Sequence, residues 1–161
     1  DIGTGDWSSD VCSSDLITLH DCWLFTGHCS YFTFNGCDKW RKVCEKCPQK
    51  KGYPKSLLFD NSTENFLVKK SLFEGFDNLV LVPVSDWLSG LLANSFLKDK
   101  RKVVIKNGID LSVFKPTQPD EMFCKKYQIP NRFKILGVAN VWGQRKGLQD
   151  FISLSKKLLQ A

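Results

Sequence analysis

The sequence lacks a run of apolar residues approaching the roughly 20 that a membrane-spanning helix needs. It also lacks a signal-peptide pattern, so its seven cysteines are expected to be thiols or metal ligands rather than disulfides. Methionine is nearly missing. The chain opens at Asp1 and its only methionine is Met122. It stops at Ala161 inside an apolar-periodic stretch, with no Gly, Asn or Pro to end a helix there. These features lead to the expectation of an internal fragment, too incomplete to be active alone. Residues 1–16 lack lysine and arginine altogether. Within them, residues 6–16 (DWSSDVCSSDL) resemble a sequencing adapter translated in one frame, so residues 1–16 are set aside as a non-native leader.

The charge that remains is strongly of one sign. The chain carries 23 basic and 17 acidic residues, for a net +6. Removing the leader's four aspartates (Asp1, Asp6, Asp10, Asp15) leaves 13 acidic against the same 23 basic residues. A basic balance suggests an anionic partner, whether phosphate, nucleic acid or an anionic membrane face.

Regular patterning starts and stops. Residues 17–19 end a β-prone run that leads into His20 and Asp21. From Cys22 to about Asp60 there is no clear period, and a connection this long is usually functional or held by its own crosslinks. A helix is expected next. Asn61 can cap it, with Glu64 reaching back as in a capping box, and Phe66, Leu67, Phe73 and Phe76 recur at roughly helical spacing. Asn61-Ser62-Thr63 also matches a glycosylation sequon, a weaker reading than the cap. Residues 79–84 suit a strand buried on both faces. Ser85 or Asp86 caps a second helix with a stripe of Leu88, Leu91, Leu92, Ser95 and Phe96. Residues 102–105 read as a third strand, closed by an Asn107-Gly108 turn.

This alternation is the rhythm of an α/β layer. It breaks at a proline-containing linker, residues 114–132, with a short helix near 120–128. A second unit then begins with an apolar strand at 133–139. The turn 140–147 and a helix sharing Leu148, Phe151, Ile152, Ser155 and Leu159 on one face follow, as in the first βα step of a nucleotide-binding domain.

Four groups of residues could carry chemistry. Gly143-Gln144-Arg145-Lys146-Gly147 places two cations at a helix start, where free N–H groups already favour an anion. Arginine's planar fork and lysine's compact charge both suit phosphate oxygens. His20 and Asp21 sit at the carboxyl end of a strand, the edge where open α/β sheets bind ligands. The histidine could donate to a substrate, with the aspartate orienting it or merely forming a structural pair. Cys29, Cys37, Cys44 and Cys47, with His28 beside the first, could close a structural zinc site or remain reduced thiols. Cys22 and Cys124 look like core thiols. Tyr31, Phe32, Phe34 and Trp40 interleave with Lys39, Arg41 and Lys42. They form either a stacking surface for nucleic acid or sugar or, by preference, a small core around the cysteines.

Taken in order, these motifs resemble a branch of the family 4 glycosyltransferases that build bacterial surface polysaccharides. The resemblance rests on residues 19–29 (LHDCWLFTGHC), 36–40 (GCDKW), 47–50 (CPQK) and 84–88 (VSDWL). It continues through 106–110 (KNGID) with Phe114 and Pro116, then 138–140 (VAN) and 145–147 (RKG). It runs from about Ile17 to the end, and the ordered set is more specific than any member.

It implies two facing Rossmann-like domains, the GT-B arrangement. Residues 17–113 would be the later part of the acceptor-side domain and 133–161 the start of the nucleotide-sugar-binding domain. It also implies transfer of a hexose with retention from a nucleotide sugar to a lipid-linked saccharide. No chemical cofactor would be needed and no nucleic acid is expected. The setting would be cytoplasmic, at most peripheral to the membrane's inner face. His20 would lie near the transferred sugar. Lys146, with Arg145, Gly147 and Asn140, would meet the donor diphosphate, and Asn107, Gly108 and Asp110 would form the interdomain motif. One departure is Asn140, near the place where many members carry an arginine; Arg145 is the substitute. A rival expectation is a zinc-stabilised nucleic-acid-binding module built on residues 28–51.

Overall fold

The computed structural model describes residues 15–56, 58–118, 120–131 and 133–160. Its architecture is mixed α/β around a small parallel sheet. Three strands, β1 (Asp15–Leu19), β2 (Leu79–Pro83) and β3 (Arg101–Lys102), lie in the order β1-β2-β3. Ile17 pairs with Leu81 across the first ladder, and Leu81 with Lys102 across the second. The first strand thus begins inside the segment assigned as leader, at Asp15.

The central strand reads as its composition foretold. All five residues of β2 are buried, as a strand covered on both faces requires. Helix α1 (Ser62–Glu74) connects β1 to β2, and α2 (Asp86–Leu92) connects β2 to β3. The core gathers Leu19, Leu81, Phe66, Leu88, Leu92 and Leu97. The α2 stripe is as expected, with Leu88, Leu92 and Ser95 buried and Leu91 and Phe96 packed against the core. Regular β3 is shorter than expected. Its ladder nevertheless continues through Val103 N–H to Leu81 O (2.9 Å) and Ile105 N–H to Pro83 O (3.2 Å).

Caps decide where the helices start. The Ser85 hydroxyl accepts from Leu88 N–H at 3.2 Å and starts α2. At α1 the expected cap bond is corrected. Asn61 makes no side-chain cap bond, and Asp60, one residue earlier, instead accepts from Ser62 N–H at 3.0 Å and from Cys47 N–H at 2.7 Å. A carboxylate can accept both bonds at once, and so ties the long loop to the helix start. Those bonds, Ser62 foremost, hold the Asp60 carboxyl below its ordinary pKa.

The chain divides into two compact units, residues 1–108 and 109–161. The expected Asn107-Gly108 turn does not form. The turn falls just after it, where Asp110 O accepts from Phe114 N–H at 2.8 Å and the Asp110 carboxylate accepts from Ser112 N–H and Oγ–H at 2.8 and 2.6 Å. The side chain here mimics a turn of backbone, as an Asp bonding the N–H two residues on does.

In the second unit, α3 (Glu121–Lys126) is capped by Asp120 and α4 spans Leu148–Gln160. The strand expected at 133–139 is not formed; these residues carry no regular secondary structure. A strand needs a ladder partner for its N–H and C=O groups, and among the described residues no strand of this unit supplies one.

Candidate functional site

Parallel strands end on one edge, and that edge collects polar side chains in the first unit. His20 follows β1 and is exposed. Ser85 and Asp86 follow β2 at the start of α2. Lys106 follows the β3 ladder, its ammonium 3.0 Å from the Asp86 carboxylate. The Tyr31 hydroxyl reaches the His20 carbonyl at 3.4 Å. The Asp21 carboxylate accepts from Trp23 N–H at 2.8 Å, and no ion pair joins it to His20 among the described residues. The two are neighbours on the edge.

Beside this edge lies the long loop, residues 22–60, built from three 3-10 helical turns at Trp23–Phe25, Thr33–Asn35 and Lys39–Arg41. Three of its aromatics, Phe25, Phe32 and Trp40, fold inward. Phe32 and Trp40 are each 2% exposed and stack with centroids 4.8 Å apart, and Phe25 meets both edge-on. The Trp40 indole donates to Cys37 O at 3.1 Å. The small-core reading therefore holds, since Phe32 and Trp40 offer no face for a base to stack on. Phe34 alone of this set is largely exposed.

The loop docks onto α1 by a close approach that only glycine allows. A Cβ on Gly27 would collide with the Ser62 carbonyl oxygen and lie 2.8 Å from Cys44 Cβ. Lys69 fastens the same junction. Its ammonium donates to Trp23 O (2.7 Å) and Thr26 O (2.9 Å) and sits 3.3 Å from the centre of the Trp23 ring. Burial lowers its pKa to about 8, against the opposing influence of Cys44, Asp21 and Cys29. Lys69 was not legible as a site residue. Only its place on the Ser62, Phe66, Lys69 face of α1, where an apolar residue belongs, could have flagged it.

Outside this junction Trp23, His28, Lys55, Phe59, Asn61 and Asn65 line an open cavity of about 430 Å³. It combines an exposed indole with amide and ammonium groups.

The four expected metal-ligating cysteines come together around a second, much smaller cavity of about 10 Å³, which His28 also lines. Cys29 and Cys44 are buried, and Cys37 and Cys47 half-buried. The Cys29 thiol is pushed up to about 12, by burial first and then by Cys47, Cys44 and Cys37. Burial likewise raises Cys44 and Cys47. No three of the His, Cys, Asp and Glu side chains among the described residues stand already at coordinating separations. Cys22 is fully buried, its thiol also pushed up to about 12 by burial. Cys124 is half-buried.

In the second unit the turn before α4 is well formed. Lys146 N–H and Leu148 N–H both bond to Gly143 O, at 3.0 and 3.3 Å, and Gly147 takes a left-handed φ of 70°. Arg145 and Lys146 lie exposed on a 3-10 turn. Asn140 bonds its own neighbour, accepting from Val141 N–H at 2.8 Å. The cavity under α4 is lined by Phe133, Ile135, Phe151, Leu154 and Leu158 rather than by either cation.

Comparison with known proteins finds sequence similarity to a protein described as a glycosyltransferase. The relative is described as "Putative colanic acid biosynthesis glycosyl transferase WcaC", from Escherichia coli (strain K12). It is 32% identical over 97 residues, which cover 59% of this chain and 23% of that protein. The chain thus matches under a quarter of that relative's length. No protein-family model matches the chain, and no solved structure does.

Proposed function

We propose that this chain is part of a glycosyltransferase of polysaccharide biosynthesis. In this reading it transfers a hexose, with retention, from a nucleotide sugar to a lipid-linked saccharide. Residues up to about 113 belong to the acceptor-side domain of a GT-B enzyme, and residues from 133 open the donor-side domain. The observation that carries the reading is the 97-residue similarity to a polysaccharide-synthesis glycosyltransferase, joined to a set of sequence motifs in matching order. The parallel sheet with polar residues along its carboxyl edge is compatible with it.

Within that reading the residues have defined work. Departure of the nucleoside diphosphate leaves negative charge on its outer phosphate. Lys146 and Arg145, on the turn that starts α4, meet that charge, helped by the N–H groups of the first helical turn. His20 stands on the acceptor side and donates to a hydroxyl of the transferred sugar. Asn107, Gly108 and Asp110 lie where one unit gives way to the next. The surplus of basic residues favours peripheral docking on an anionic membrane face.

The test is kinetic, on the complete gene product with a panel of nucleotide sugars. Lys146→Ala is expected to lower kcat by roughly 100-fold or more, as loss of one preorganised charge contact does. His20→Ala is expected to lower kcat/KM with donor affinity retained. An unchanged rate in both variants contradicts the assignment.

A further inference from the structure

We propose that Cys29, Cys37, Cys44 and Cys47 bind one structural zinc ion, which clamps the 22–60 loop against α1. The proposal is independent of the catalytic reading. Cys44 and Cys47 have the two-residue spacing of a chelating pair, whereas Cys29 and Cys37 are brought to the same place only by the fold. All four line one cavity of about 10 Å³, about the space of a single water-sized sphere.

The surroundings fit a thiolate-bound dication. His28 lines the same cavity, and its Nε2 is buried without a hydrogen-bond partner among the described residues. A buried orphan nitrogen is costly, and one beside a metal-bound sulfur can serve as an N–H donor to it. Four thiolates around a divalent zinc leave two net negative charges. Lys39 lines the cavity, its ammonium anchored on the Glu45 and Lys46 carbonyls at 3.0 and 3.4 Å. Lys69 is buried nearby and forms no salt bridge among the described residues. Lys69 also lies within electrostatic reach of Cys44 and Cys29, as well as of Asp21, so both cations can offset part of the negative charge on the sulfurs.

Zinc is among the ions that soft thiolates in a closed tetrahedral set favour, and it needs no redox partner. On binding, each thiol loses its proton to solvent, and the sulfurs draw in to about 2.3 Å from the metal. Four sulfurs leave no open position, so the ion is structural. The need is evident in the loop, whose described residues contain no strand or α-helix and only a small aromatic core.

The 161-residue chain, expressed and purified without added chelator, is expected to carry one equivalent of zinc by mass spectrometry. A thiol-modifying mercurial should release it. Cobalt exchanged for zinc should give the intense charge-transfer and visible bands of tetrahedral thiolate coordination. Cys44→Ser is expected to lose the metal, while Cys124→Ser keeps it. Because the first two readouts use the unaltered chain, a misfolded variant does not decide the matter. Substoichiometric metal removed by mild EDTA without thiolate–cobalt bands overturns the proposal. So does a disulfide joining any two of the four cysteines in the freshly isolated protein.

Discussion

Gly27 shows how one residue constrains a whole loop. A methyl group there has nowhere to go, because the obstacle is the backbone oxygen of Ser62 and not the end of a flexible side chain. Gly27→Ala is therefore expected to cost at least the 1–3 kcal/mol typical of overpacking, measured by urea unfolding. Gly90→Ala, where a Cβ meets nothing within 4 Å, should cost far less by the same measurement. A second residue-scale prediction concerns Asp110. Hydrogen bonds from Ser112 hold its carboxyl below the ordinary carboxylate range. The sign follows from linkage: the turn's contribution is complete above the ordinary pKa and is lost as pH falls through the lowered one. NMR titration of the Asp110 carboxyl should show this depression, and Ser112→Ala should raise the value toward the ordinary range. An identical titration in both proteins contradicts the assignment. Lys69 shows the limit of reading residues one at a time. A lysine on α1 reads as solvated until the loop that covers it is in place.

At the scale of elements, the strongest local signals were legible. The valine-rich run at 79–83 is a strand buried throughout, because a continuous apolar stretch suits only an interior position. Ser85 caps α2, and Ser85→Ala is expected to cost about 0.5–2 kcal/mol, read as a lowered unfolding midpoint. Asn61 holds the α1 cap position as expected, but its side chain makes no cap bond; Asp60 accepts from Ser62 N–H instead, and also from Cys47 N–H, thirteen positions away. The run at 133–139 has the apolar content of a strand, yet content does not make one without a neighbour to pair with. For the same reason α4 buries none of its residues, although its apolar face was plain from periodicity. The candidate site divides the same way. The cysteines at chelating spacing and the cations on the turn before α4 could be read from order alone, whereas the convergence of Cys29 and Cys37 and the inward turn of the aromatics depend on tertiary packing.

At the scale of the molecule, the account places donor chemistry in one unit and acceptor chemistry in the other. The first unit holds His20 on a sheet edge, beside a loop fastened to α1 through Gly27 and Lys69. The second holds Arg145 and Lys146 on the turn before α4. The most direct measurement of the central claim is transfer of isotopically labelled sugar from a nucleotide donor to a lipid-linked saccharide by the complete gene product. The account expects a labelled lipid-linked product whose anomeric configuration matches the donor's, and whose formation collapses in Lys146→Ala. No labelled product with any of the common nucleotide sugars, together with no binding of those donors, would contradict it.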